Sequence, residues 1–308
     1  MQTAPIPHPL RELIARETAD IKGAQLAVAA EALSTAYRAG LPPALNTAAA
    51  RAAYLVTRVP ATYAALTRAT AELPFEPETW LDLGAGPGTT GWVAPCDVTF
   101  VESNTAWFGI TPGRWIEADL RRLPHLDPHE AVSIAYALNE LAPAERPRLI
   151  AEAWHLATKA LILVEPGTVE GFAHIRAART QLIELGAHLH APCPHQAECP
   201  MTGPDWCHFA VRIERTRLHR IAKGGDLSYE DEKYSYLIAL KEPATPAGSR
   251  ILRHPKIQPG LIELTLCTQD EGLKNARITK KNKEQWRVAR KADWGDPWAG
   301  TPGAVHVA

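Results

Sequence analysis

Apolar positions along the chain follow two periods in succession. From about Arg11 to Leu73 they sit at helical spacing in a stretch rich in Ala, Leu, Arg and Glu, as in Leu10, Leu13 and Ile14 and again in Tyr54, Leu55 and Arg58. Residues three and four apart share one face of a helix, so the pattern predicts an N-terminal helical subdomain over 1–75. Proline removes a backbone donor and restrains its predecessor, which makes Leu41-Pro42-Pro43 and the run 73–78 natural joints.

Beyond Thr79 short apolar runs alternate with helix-length segments: Trp80 to Leu83, Val98 to Glu102, Trp115 to Ala118, Val132 to Leu138 and Ala160 to Glu165. Five strands so separated predict an α/β core over 76–190, a doubly wound and mostly parallel Rossmann-like sheet. Phe172 to Leu189 has helical composition, and Lys233 to Lys241 has the β-branched and aromatic content of a later strand. Residues 190–210 interrupt the alternation, a cysteine-rich unit is expected over 191–225, and 226–308 is expected to hold later core strands and a basic C-terminal tail.

The first of these strands runs into Asp82-Leu83-Gly84-Ala85-Gly86-Pro87-Gly88. A glycine turn that opens a helix points backbone N–H groups into the crevice at the carboxyl end of a parallel sheet, a place for a nucleotide-like ligand. The third glycine comes one residue earlier than in the dinucleotide fingerprint, and an acid precedes the first. This spacing resembles the first motif of class I methyltransferases, which implies S-adenosylmethionine as cofactor and Asp82, Gly84, Gly86 and Gly88 as its loop. Glu102, eighteen residues after Gly84, stands where a carboxylate accepts from both ribose hydroxyls. Asp119 closes the next apolar run, where that superfamily often places an adenine-contacting side chain. Asn139 and Glu140 follow the fourth strand and are candidates for hydrogen-bonding a substrate amine or the methionine amino group, a plain helix cap being the alternative. No catalytic residue is assigned.

Composition narrows the class. Apolar residues at 46% and charged residues at 22% belong to a folded globular chain, and the net charge of -1 excludes a globally basic protein while leaving room for a local basic face. The run Met1 to His8 lacks the basic start and apolar stretch of a secretory signal, and no run of about 18 apolar residues exists. A cytoplasmic protein without membrane attachment is expected, and there a cysteine cluster points to metal before disulfides.

Cys193, Cys199 and Cys207 stand at spacings C-x5-C-x7-C in a proline-rich stretch unfit for a regular helix or strand, as befits a loop wrapped around a metal. The fourth ligand is Cys267 or a local histidine, His195 or His208. Four thiolates suit a 4Fe-4S cluster or zinc, whereas a histidine moves the balance to zinc. Cys96 reads as a buried free thiol. Between Lys274 and Lys291 lie eight cations, Lys274, Arg277, Lys280, Lys281, Lys283, Arg287, Arg290 and Lys291, with Glu284 as the only acid. Such a segment in a neutral chain makes a phosphate-binding surface, with Trp286 and Trp294 available to stack on bases. Arg215, Arg217, Arg220 and Lys223 form a second, weaker patch.

Together the glycine loop, the segment Cys193 to Phe209, the run Glu230 to Leu240, Cys267 and the final Lys280 to Asp296 resemble the methyltransferase-like small-ribosomal-subunit assembly proteins, known from mitochondria and with bacterial relatives. The resemblance covers most of the chain from about Asn46. It implies a class I methyltransferase fold with a cysteine-rich metal-binding insertion, a 4Fe-4S cluster on Cys193, Cys199, Cys207 and Cys267, and the small ribosomal subunit and its RNA as partner. The function so implied is S-adenosylmethionine binding on or with small-subunit ribosomal RNA. Two alternatives stand beside it: a non-catalytic assembly factor that senses cofactor or cluster, and a small-molecule methyltransferase with structural zinc.

Overall fold

The computed structural model describes residues 3–41, 44–245, 248–270 and 272–299. Four helices open the chain: α1 (His8–Thr18), α2 (Gly23–Arg38), α3 (Ala48–Thr57) and α4 (Val59–Thr70). Local chemistry sets where they start. Thr47 Oγ1 accepts from the Ala50 N–H at 3.1 Å to cap α3, and α4 carries Pro60 in its first turn, where a missing N–H leaves nothing unpaired. Leu10, Leu13, Leu26, Leu33, Leu55 and Val56 give α1 to α3 a core of their own. The small face of α4, Ala61, Ala64, Ala65 and Ala69, instead packs on the sheet. The joint read at Pro42 and Pro43 lies outside the described residues.

Strands β1 (Trp80–Leu83), β2 (Val98–Glu102), β3 (Arg114–Glu117), β4 (His129–Ala135) and β5 (Ala157–Pro166) pair in parallel in the order β3-β2-β1-β4-β5. The period of two sends alternate residues to opposite faces. Leu81, Leu83, Val132, Ile134 and Leu163 meet α5 (Arg146–Leu156) and α6 (Val169–Glu184) on one side, while Trp80, Phe100, Ile162 and Val164 meet α4 on the other. The order reverses between β1 and β4, which opens a crevice at their carboxyl ends. With one antiparallel strand inserted before the last, this is a class I methyltransferase-like α/β fold.

The inserted strand positions the cysteines. β8 (Tyr229–Leu240) runs antiparallel to β5. Its other edge is shared by two short strands in line, β6 (His188–Ala191) against Leu240 to Ile238 and β7 (Phe209–Glu214) against Tyr234 to Tyr229. Between them the chain leaves the edge at Pro192 and returns at His208, and this excursion carries Cys193, Cys199 and Cys207. Ser235, in the uncovered stretch of β8, donates its hydroxyl to Cys207 O at 2.8 Å. After β7, α7 (Arg217–Lys223) turns back against the N-terminal helices, with Ala222 in their core.

The expected C-terminal tail is corrected by a second sheet. β9 (Ser249–Ile251), β10 (Lys256–Gln258), β11 (Leu261–Thr268), β12 (Gly272–Thr279) and β13 (Pro297–Trp298) form it, all antiparallel, with α8 (Lys283–Ala289) following β12. Ile251, Ile262, Leu264, Leu266, Ala276 and Ile278 fill its interior. Residues 300–308 lie outside the described part. Among the described residues no helix is long and apolar enough to cross a membrane.

One buried arginine fastens this sheet to the rest. Arg250 on β9 is 3% exposed and forks onto Glu72, after α4, with bonds of 3.0 and 2.6 Å. It also donates to Pro192 O at 3.1 Å and Gly295 O at 2.7 Å. Tyr236 of β8 donates to the same Glu72 carboxylate. Removing the guanidinium strands a carboxylate that is largely covered and two carbonyls. Arg250→Met should therefore lower stability by about 2–4 kcal/mol, read from urea midpoints at unchanged slope, and Arg250→Lys should recover only part because an ammonium cannot reproduce the fork.

Candidate functional site

Two concave sites carry the residues that the sequence singles out. The first is the crevice at the carboxyl ends of β1, β2 and β4, a cleft of about 340 Å³. Gly84, Gly86 and Gly88 all adopt positive φ, 76°, 54° and 74°, which a side chain would strain. A Cβ on Gly84 would lie 2.7 Å from Ala137 Cβ, so this position is closed by packing as well. The Gly84 and Ala85 N–H groups both donate to Val101 O, at 2.9 and 3.1 Å, and pin the turn to β2. Beyond it stands only a short 3-10 turn, Thr89–Trp92, and not the α-helix expected from the motif. Gly91 and Pro95 fall inside the helix-length window and stop it.

Four of the seven residues assigned to the cofactor from sequence, Gly84, Gly86, Glu102 and Asp119, line the cleft. Glu102 accepts from the Gly86 N–H at 2.8 Å and from the Asn104 N–H at 2.8 Å, so its carboxylate is held at the loop mouth. Asp119 accepts from the Arg121 N–H at 2.8 Å. Asp82 and Gly88 stand behind the loop. Asp82 is 3% exposed, accepts from Ser133 Oγ at 2.6 Å, and through Ser133 is tied to the Trp80 indole N–H at 2.9 Å. Burial pushes its carboxyl up to about 6, against the lowering effect of Ser133. Asn139 opens into a neighbouring cavity instead. Tyr54 of α3 and Trp107, with ring centroids 5.6 Å apart, close the cleft from the helical side. Sequence reasoning read Tyr54 only as a core position, since its single aromatic ring in an alanine-rich helix carries no ligand signal.

The second site lies where the excursion meets the second sheet. Cys193, Cys199, Cys207 and Cys267 all line one cavity, with Phe172, Met201 and Leu252 as its apolar wall. Cys267 reaches it from β11, directly across the ladder from Arg250. Burial and the neighbouring thiols raise Cys193, Cys207 and Cys267, the last to about 12, so all three are uncharged at neutral pH. Among the described residues no group of three His, Cys, Asp or Glu side chains is gathered closely enough to hold a single metal ion. His195 lines the cavity, with Nε2 3.5 Å from Cys267 Sγ. His208 does not line it and is stacked on Trp206 at 4.8 Å instead. Cys96 lies apart as a free thiol, half-buried where burial had been expected.

The basic segment is a folded face. Lys280 and Lys281 occupy the turn after β12, Lys283 and Arg287 lie on α8, and Arg290 and Lys291 follow it, all exposed. Arg277 is exposed beside Glu263 at 3.4 Å, and Lys274 is half-buried on the opposite side of β12. Two expectations are corrected. Trp294 packs edge-on to His208 and His254 and is not free to stack on bases. In the weaker patch Arg215 and Lys223 close on Glu230, at 2.6 and 2.7 Å, while Arg217 and Arg220 are exposed outside that cluster.

The family model described as mitochondrial small ribosomal subunit Rsm22 matches residues 111–299, more than half of the chain. The human protein described as ribosome assembly protein METTL17, mitochondrial, is 24% identical over 79% of this chain and 61% of its own length. The fission yeast Rsm22-cox11 tandem protein 2, mitochondrial, is 24% identical over 70% of this chain and 38% of its own length. The chain thus spans less than two thirds of either relative. Among solved structures, magnesium protoporphyrin IX methyltransferase from Synechocystis with bound SAM is 14% identical over 71% of this chain and 97% of its own, with a TM-score of 0.38. A TehB-like SAM-dependent methyltransferase from Corynebacterium glutamicum is 13% identical over 72% and 100%, also at 0.38. The fold is assigned from the strand order above, not from these two.

Asp82 supplies a test of the loop's foundation. A carboxyl that titrates near 6 in the fold and near 3.8 when free binds its proton more tightly in the native state. Its contribution to stability is present below about pH 4 and is lost as pH rises to about 6. Asp82→Asn keeps the acceptor for Ser133 and removes the charge. The variant should gain on the wild type by up to about 3 kcal/mol between pH 4 and pH 7 in urea titrations, and equal pH profiles would refute the assignment.

Proposed function

The chain belongs to the Rsm22 family of the mitochondrial small ribosomal subunit, and from that premise we propose that it is a methyltransferase-like protein that binds S-adenosylmethionine and a 4Fe-4S cluster while it works on small-subunit ribosomal RNA. The observation that carries the reading is the convergence of Cys267, from the second sheet, on the three cysteines of the excursion around one cavity. Nothing in the packing of a plain enzyme requires four thiols there.

The donor set fits the group. All four candidate ligands are thiols, and they surround a shared cavity without the tight gathering that one tetrahedral ion requires, at ~2.3 Å from each sulfur. Arg179 and Arg250, both buried beside the thiols, supply positive charge to offset four thiolates. When bound, such a cluster supplies a rigid four-point link and one-electron exchange. The protein's own part is to fix the ligands: Arg179 donates to His195 O and Ala197 O, at 2.9 and 2.6 Å, and so holds the loop between Cys193 and Cys199.

In this reading Gly84 and Gly86 let the backbone approach the ligand, Glu102 takes the ribose hydroxyls and Asp119 the adenine end, and the support is that all four line the cleft. The exposed cations of the β12 turn and α8 provide the surface for RNA phosphates, which a methyltransferase for small molecules has no use for.

Anaerobic purification should give about four irons and four acid-labile sulfides per chain, lost in both Cys193→Ser and Cys267→Ser, whereas one zinc without sulfide would overturn the cluster. Gly86→Ala adds a methyl group that meets nothing closer than Tyr54 Oη at 3.9 Å. By calorimetry it should weaken S-adenosylhomocysteine about tenfold or more, with a stability change of only about 1–2 kcal/mol. Replacing Lys280, Lys281 and Lys283 by Gln should flatten the salt dependence of binding to small-subunit RNA by about 2 to 3 in log-log slope.

A further inference from the structure

Helix α6 buries a face of Phe172, Ile175, Ala178 and Leu182, and Arg179 lies among them at 4% exposed. The helix itself offers this cation no balancing charge, because the positions three and four residues away are Ile175, Arg176, Leu182 and Ile183. Among the described residues no carboxylate stands within ion-pair distance of Arg179 either. Its Nη2 donates to two carbonyls, His195 O and Ala197 O, at 2.9 and 2.6 Å, and its Nε has no hydrogen-bond partner among the described residues.

Arg250, the other buried cation at this cavity, is in a different position, because Glu72 answers its charge through the fork. A guanidinium does not shed its proton inside a protein, so burial of Arg179 is not relieved by neutralisation, and a covered cation without a counter-ion is costly. The ionisable groups that share the cavity with it are Cys193, Cys199, Cys207 and Cys267. Burial raises the Cys193 thiol, while Arg179 lowers it by its charge and by a hydrogen bond. Burial likewise raises Cys267, and the charge of Arg179 acts against it there too. A neutral thiol does not balance a guanidinium, whereas a thiolate does.

We propose that Arg179 is the counter-cation of the four-thiolate centre and raises the reduction potential of the cluster held there, so that the centre accepts an electron instead of serving as a fixed link alone. The ground is Coulombic. Reduction places one further negative charge on the thiolate-bound cluster, the electron coming from a soluble one-electron reductant, and no bond is made or broken. A fixed positive charge in a covered cavity therefore stabilises the reduced form more than the oxidised one. Arg250 acts in the same direction with a charge that Glu72 already answers, so most of the effect falls to Arg179.

This inference rests on the cluster reading above, and the test separates the two. Iron and acid-labile sulfide are counted in the full chain, in Arg179→Lys and in Arg179→Gln, all purified anaerobically. The one-electron midpoint of each is then measured by dithionite titration with redox mediators, the reduced cluster being detected by electron paramagnetic resonance. Gln keeps a donor for the two carbonyls and removes the charge, whereas Lys keeps the charge and loses the fork. The expected result is a reduction equilibrium about tenfold less favourable in Arg179→Gln, or about 59 mV for one electron, with Arg179→Lys within about twofold of the wild type. Where Arg179→Gln loses its cluster during purification, the rate at which a chelator strips iron decides: loss confined to that variant supports the counter-cation, and equal loss from both variants overturns it. A midpoint unchanged in Arg179→Gln, or lowered equally in both variants, also overturns it. Absence of iron and sulfide from the wild type removes the cluster reading and this inference together, whereas the contrary outcomes in loaded protein remove this inference alone.

Discussion

Residues 192–208 have no ladder of their own, so their carbonyls must be paired by side chains or left unpaired in a covered place, and the arrangement of the whole C-terminal half follows from how that is solved. Three arginines solve it. Arg176 and Arg179 come from α6 and reach Met201, His195 and Ala197, while Arg250 comes from β9 and reaches Pro192. Because Arg250 faces Cys267 across the ladder, the bond that secures the start of the excursion also sets where the fourth thiol stands. The same residue forks onto Glu72, so helices, main sheet and second sheet meet at one guanidinium. The proposed cluster adds a second link along the same seam.

The cleft at the carboxyl ends of β1, β2 and β4 depends on a different economy of space. Glycines at positive φ bring backbone where a side chain would collide, and buried Asp82 supports them from below through Ser133 and Trp80. The N-terminal helices, by presenting Tyr54, turn an open crevice into a lined one. Tyr136, at a φ of 59°, stands at the corner between this cleft and its neighbour, so one strained residue belongs to both. The cleft and the neighbouring cavity lie side by side, while the basic face lies on a separate sheet.

Much of this was legible in the sequence because it depends on local pattern. The five parallel strands were readable from runs such as Leu161 to Val164, which are buried on both faces and hence apolar throughout. The three clustered thiols were readable from spacing, whereas Cys267 stood open beside His195 and His208 as the fourth candidate, and the fold brings Cys267 and His195, but not His208, to the same cavity. The second sheet was not, because β10 is exposed and only three residues long, and the alternation in β12 is obscured by Lys274 and Arg277. The helix after the glycine loop was overpredicted because the motif suggests one and Gly91 and Pro95 deny it. Charge counts misled where pairing is decided in three dimensions: Glu230, fifteen residues from Arg215, takes up both Arg215 and Lys223. Trp294 looked available for bases, yet its partners His208 and His254 are distant in sequence.

The central claim is that the four-thiol centre and the guanidinium of Arg250 together hold the second sheet, and with it the basic face, against the core. Hydrogen–deuterium exchange over residues 249–298, compared between iron-loaded and chelator-stripped protein, tests it most directly. Exchange in β9 and β11 should accelerate by about tenfold or more on stripping, while β1, β4 and β5 keep their protection. Unchanged exchange in β9 and β11 would show that the sheet is held without the cluster and would contradict the claim.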